Sequence, residues 1–126
     1  MKQGKSPTIF GTGEATRDFV SVFDVADLNL KALTTENEAA IGEVYNVASG
    51  SSISVLELFN TLRELLSANQ PEVQAVEPTF APPRDGDIIH SAASIAKATE
   101  LLGFAPETNP SQALSATVEA NWVDRA

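Results

Sequence analysis

The chain has no cysteine, one histidine, one tyrosine and no long apolar run, and it sets eight basic residues against seventeen acidic ones. Without cysteine there is neither a disulfide framework nor a thiolate metal site, and a single histidine cannot build a His-rich one. A membrane span needs about 20 consecutive apolar residues, and none occurs. Lys2 and Lys5 are followed by no apolar stretch, so no secretory signal is read and a cytoplasmic setting is expected. A net charge of -9 opposes a nucleic-acid partner, because the field of the whole chain would repel a phosphate backbone. It does not exclude a small phosphorylated ligand. No Ser/His/Asp or paired-carboxylate constellation stands out, which argues against a self-sufficient hydrolase or transferase.

What is present fits a single soluble domain spanning 1–126, in which 43% hydrophobic residues supply a modest core. Thr8–Phe10 and Phe19–Val22 alternate with glycine-containing turns and are expected as strands. Asp24 is placed to cap a helix running to about Leu33, with Val25, Leu28, Ala32 and Leu33 on one face. Glu43–Ala48 is expected as a short strand. Ser54-Val55-Leu56-Glu57 has the form of a capping box and opens the best-signalled helix, whose apolar stripe is Val55, Leu58, Phe59, Leu62, Leu65 and Leu66. Val73–Val76 alternates as a strand, and Pro78, Pro82 and Pro83 hold the following segment extended. Ser94 is expected to cap a further helix that stops at Gly103. A last helix begins with Pro110 at its first position and carries Leu114, Val118 and Trp122 as one stripe.

Two arginines stand out: Arg17 in Thr16-Arg17-Asp18-Phe19-Val20, and Arg84 in Pro83-Arg84-Asp85-Gly86-Asp87. A planar, permanently charged guanidinium in a turn can grip a phosphate bidentately, and two of them suit a diphosphate. For either alone, a surface ion pair with a neighbouring carboxylate is the plainer reading. Asp18 and Asp24 are read as turn and cap residues. His90 is read as a hydrogen-bonded structural histidine near a helix start rather than as an acid or base.

These segments occur in one order with Pro7–Gly13, Gly42–Gly50, Ser54–Leu58 and Lys97–Phe104. Together they resemble the C-terminal part of the NAD-dependent epimerase/dehydratase family, the extended short-chain dehydrogenase/reductases that act on nucleotide-diphosphate sugars. Within it the pattern is most similar to UDP-glucose and UDP-N-acetylglucosamine 4-epimerases. The resemblance implies a small mixed α/β substrate-binding domain without the N-terminal Rossmann domain. It implies substrate-binding roles for three residues: Arg17 and Arg84 on the ligand's diphosphate, from opposite walls, and Asp87 on the uridine ribose.

The family's cofactor is NAD, but no glycine-rich turn opening a helix is present to hold it. Gly11-Thr12-Gly13 lacks a third glycine and precedes an extended run, so it reads as a turn between strands. The family's proton-moving tyrosine is followed four residues later by a lysine. Here Tyr45 is followed by Ser49, and Tyr45 reads as a half-buried strand residue with a polar tip. By the resemblance, the nucleotide domain and the catalytic pair lie upstream of Met1. The expectation is therefore a truncated epimerase-like chain that binds a UDP-hexose, with no cofactor and no catalysis of its own. The alternative is a stand-alone protein, derived from such a fragment, that self-associates as a dimer through the surface its Rossmann domain would cover.

Overall fold

The computed structural model describes Met1 and residues 5–122. In chain order the elements are β1 (Thr8–Phe10), β2 (Thr16–Arg17), α1 (Val22–Thr34), β3 (Ile53–Ser54), α2 (Val55–Ser67), β4 (Thr79–Ala81), β5 (His90–Ser91), α3 (Ala96–Leu102) and α4 (Pro110–Trp122). Single 3₁₀ turns lie at Glu38–Ala40 and Pro71–Ala75. The contacts gather into two compact units. The first holds Met1–Arg17, Ile53–His90 and the residues from Ser111 on; the second holds Asp18–Ser52 and Ser91–Pro110.

In the first unit, β1 and β4 pair in parallel with Phe10 opposite Ala81. β2 lies between β3 and β5 and pairs antiparallel with β3, Arg17 facing Ile53. The expected capping box is present. Ser54 Oγ accepts from the Glu57 amide at 3.1 Å, and Glu57 Oε2 accepts from the Ser54 amide at 2.7 Å. Those bonds to Ser54 hold the Glu57 carboxyl below its ordinary range. Ile9, Phe59, Val73 and Val118 are the buried apolar side chains of this unit. The turn after β1 passes close to α2: a Cβ on Gly13, whose φ is +83°, would meet Leu56 Cβ at 3.1 Å, so no larger residue fits without strain.

The second unit packs Leu28 of α1, Ala98 of α3 and Phe104 together, with Tyr45, Val47, Ile95 and Leu102 against them. Gly103 ends α3 in the left-handed region as expected, with φ +62°.

Several expected elements differ. The segment expected as a strand, Phe19–Val22, forms none: α1 already starts at Val22 behind Ser21, whose Oγ accepts from the Phe23 amide at 3.2 Å. Asp24 is therefore not the cap, although it lies in the first turn. Of the face proposed for α1, Leu28 is buried while Ala32 and Leu33 are exposed. Glu43–Ala48 joins no ladder, yet it keeps a strand's alternation: Tyr45 and Val47 turn inward while Val44 and Asn46 are exposed. Val73–Val76 is not a strand, because Pro71 at the first position and the 3₁₀ turn it opens bury Val73 instead. The strand of this region is Thr79–Ala81, which the prolines flank without interrupting. Ile95, not Ser94, occupies the cap position of α3, and Ser94 Oγ makes only a 3.4 Å contact with the Ala96 amide. α4 opens at Pro110 as expected, with Leu114 half-buried and Val118 buried; the Trp122 side chain lies outside the described residues.

Candidate functional site

A cleft of about 500 Å³ opens in the first unit, lined by residues 10–15, Ala81, Pro83, Arg84 and residues 87–89. The parallel register builds it. Phe10 ends β1 opposite Ala81 at the end of β4, and Gly11 N–H continues the ladder to Ala81 O at 2.9 Å. Pro82 and Pro83 carry the chain on to Arg84, whose guanidinium carbon lies over the Phe10 ring, 3.8 Å from its centroid. The segment then turns back through Gly86, with the Asp87 amide donating to Arg84 O at 3.2 Å.

Three charged side chains line this cleft, and their partners decide what it attracts. Arg84 has no carboxylate partner among the described residues. Asp87 accepts from Arg17 Nη2 at 2.8 Å, and Arg17 Nη1 donates to its own neighbour's carbonyl, Thr16 O, at 2.8 Å. Glu14 accepts from the Thr12 hydroxyl at 2.9 Å. Two acids would outweigh one arginine, but Arg17 neutralises Asp87 and so leaves Arg84 balanced against Glu14.

The structure thus brings Arg84 and Asp87 to one cleft and joins Arg17 to Asp87, although Arg17 is not itself part of the lining. Asp87 keeps capacity to accept further hydrogen bonds, since a carboxylate offers about four acceptor sites. His90 stands in β5, not at a helix start, with Nδ1 3.0 Å from Thr16 Oγ1. Asp18 and Asp24 hold distant backbone rather than local turns. Asp18 accepts from the Ser49 and Gly50 amides at 2.7 and 3.2 Å. Asp24 Oδ1 accepts from the Glu107 and Thr108 amides at 3.1 and 3.4 Å and from the Thr108 hydroxyl at 3.2 Å.

The residue that sequence reasoning passed over is Phe10. Its only signal was a place at the end of a strand, and the register that sets it against the Arg84 segment is not written in either segment alone. Nor does sequence spacing show that a lysine lies near Tyr45: Lys97 Nζ is 5.3 Å from the ring centroid. That lysine serves Glu43, at 2.6 Å, and Val44 O, at 3.1 Å. The Glu43 carboxyl is held below its ordinary range by this hydrogen bond and by the ammonium charge. The Tyr45 hydroxyl donates to Ala40 O at 2.8 Å, so this pair is structural and not a proton-moving one.

The Gly11–Gly13 turn does not fit a dinucleotide. It leads through Glu14 and Ala15 into β2 and opens no helix whose amides could face a pyrophosphate. Among the described residues there is no cluster of three metal-ligating side chains and no helix long and apolar enough to cross a membrane.

The fold is a mixed α/β arrangement, and its cleft presents an arginine that has no carboxylate partner among the described residues. The sequence profile of the NAD dependent epimerase/dehydratase family matches residues 1–48. A UDP-glucose 4-epimerase of Mycolicibacterium smegmatis is 35% identical over 116 residues, covering 92% of this chain and 34% of that protein. The crystal structure of the Thermotoga maritima UDP-glucose 4-epimerase with UDP-glucose matches at a TM-score of 0.81 and 35% identity, over 95% of this chain and 36% of that one. The Methanobrevibacter ruminantium UDP-N-acetylglucosamine 4-epimerase, in complex with UDP-N-acetylmuramic acid, matches at a TM-score of 0.79 and 29% identity, over 94% of this chain and 35% of that one. The chain belongs to the NAD-dependent epimerase/dehydratase family. It spans about a third of the length of the relatives it matches.

Proposed function

We propose that this chain is the nucleotide-sugar-binding part of an epimerase of this family, taking a UDP-hexose at the Arg84 cleft and performing no catalysis alone. The observation that carries this reading is Arg84 itself, an arginine with no acid partner among the described residues in a cleft of about 500 Å³, within the size range of small-ligand sites. A guanidinium so placed can donate two parallel hydrogen bonds to a diphosphate. Asp87, held by Arg17, can accept from a ribose hydroxyl. On this reading NAD and the catalytic Tyr/Lys pair belong to a separate nucleotide-binding domain, and the chain itself carries no cofactor. Calorimetric titration with UDP-N-acetylglucosamine and UDP-glucose tests it. Binding is expected to weaken about tenfold or more in Arg84→Ala, the scale of a lost hydrogen bond to a charged group. A folded chain that takes up neither nucleotide overturns the proposal.

A second reading, self-association, is favoured by α1. Val22, Phe23, Leu30 and Leu33 are 72, 69, 60 and 84% exposed, and with Ala26 they fall within about 100° of one another around the helix at 3.6 residues per turn. A second copy laid on this stripe would cover it. Light scattering over a range of concentrations is expected to give a dimer mass that Leu30→Glu lowers to that of the monomer, and a monomer at every concentration sinks the idea.

A further inference from the structure

The Arg84 guanidinium lies on the face of the Phe10 ring, 3.8 Å from the ring centroid, well inside the ≈ 6 Å at which a cation is drawn to an aromatic quadrupole. The contact has a particular consequence. A guanidinium carries all five N–H donors in its own plane, so stacking one face on a ring spends none of them. Donors that a ring face leaves unspent stay available to a phosphate, which can take two at once. Arg17 illustrates the alternative, giving a donor to the Asp87 carboxylate at 2.8 Å. A long exposed side chain also loses rotamer freedom when a ligand fixes it, and a ring that already holds the group lowers that cost before the ligand arrives.

The frame beneath the ring is firm. Phe10 sits in β1, its backbone registered against Ala81 and the ladder continued by the Gly11 N–H. Gly11 approaches Pro83, with 3.8 Å between a Cβ built on the glycine and Pro83 Cβ. The ring and the proline that precedes Arg84 therefore belong to one local assembly. Phe10 is itself 40% exposed, more than core packing alone would leave a phenylalanine.

We propose that Phe10 is a positioning residue for Arg84, holding the guanidinium over its ring with donors free for the phosphates of an anionic ligand. This rests on the nucleotide-sugar reading of the same cleft. The test is a double-substitution cycle read by calorimetry with UDP-glucose, using Phe10→Leu, Arg84→Ala and both together, with Phe10→Tyr as the ring-keeping control. Phe10→Leu is expected to weaken binding about threefold to fivefold, the scale of an exposed cation–π contact, and Phe10→Tyr to leave it within twofold. The double variant is expected to bind no more weakly than Arg84→Ala alone, because the ring acts only through the arginine. Thermal unfolding of each variant separates this from a folding defect, and Phe10→Tyr covers the case in which Phe10→Leu does not fold. Losses that simply add in the double variant overturn the inference, as does a Phe10→Leu or Phe10→Tyr protein whose affinity departs from these expectations while the fold is intact. Failure of the unsubstituted chain to bind any nucleotide sinks the functional reading and this inference together. Binding that Arg84→Ala weakens and Phe10→Leu does not sinks this inference alone.

Discussion

Asp24 and Asp87 are the same residue type put to opposite uses in the two units. Asp24 is 4% exposed and accepts three hydrogen bonds on one oxygen, while its Oδ2 is buried with no hydrogen-bond partner among the described residues. It ties the start of α1 to backbone more than eighty residues away. Asp87 stands in solvent and meets a single arginine, with side chains 44% and 29% exposed. A buried carboxylate must be satisfied or it is costly, so Asp24 is committed to structure. An exposed one can exchange partners at little cost, so Asp87 is not committed in the same way. Burial, not residue type, separates the two acids.

The comparison breaks most sharply at Asp24. Asp24→Ala leaves the Glu107 and Thr108 amides without their acceptor and is expected to destabilise the chain by about 2–3 kcal/mol. Asp24→Asn, which keeps an accepting oxygen, is expected to cost less; urea unfolding followed by circular dichroism measures both. Equal losses in the two variants would mean that the charge, rather than the acceptor, is what the site needs.

Ser54 lies between the two extremes. Ser54→Ala removes one half of the capping box and is expected to cost about 1 kcal/mol. The other half depends on pH. Because the folded state holds the Glu57 carboxyl below its ordinary value of 4.5, its contribution is present above that value and fades as pH falls below it. Unfolding midpoints measured from pH 6 downward should therefore drop less in Glu57→Gln than in the parent, and identical acid profiles would contradict this.

The smallest expected effect is at the cleft. A double-substitution cycle on Arg17 and Asp87 should give a coupling of only about 0.2–1 kcal/mol in stability, as exposed pairs do, and it should shrink in high salt. A larger coupling that salt leaves unchanged would place Asp87 with Asp24 as a scaffold acid.

Where the signal is local, sequence and structure agree. The capping box at Ser54 and Glu57, the glycine stop at Gly103, the proline start at Pro110 and the turn at Gly11–Gly13 each depend on a few neighbouring residues whose backbone preferences act alone. Disagreement enters where a local pattern has two solutions. Val73–Val76 alternates, but proline at position 71 makes the 3₁₀ turn available and burial of Val73 selects it. Glu43–Ala48 has a strand's alternation without a ladder, since alternation reports which side chains face inward and not whether a neighbouring strand exists. Asp24 is an acceptable cap by type, yet Ser21 does the capping and Asp24 reaches to Thr108.

The sequence by itself determined the helices with marked ends, the exclusion of thiol chemistry and the candidacy of Arg17 and Arg84, because each follows from residue type and short-range order; the order of its blocks gave the family, and the resemblance added Asp87. Only the tertiary structure decided how those three residues are arranged. The Phe10–Ala81 register and the Arg17–Asp87 bridge join residues about seventy positions apart, and such pairings depend on how strands align in space. Long-range alignment gave Arg17 to Asp87 and left Arg84 on the ring of Phe10, with no carboxylate partner among the described residues.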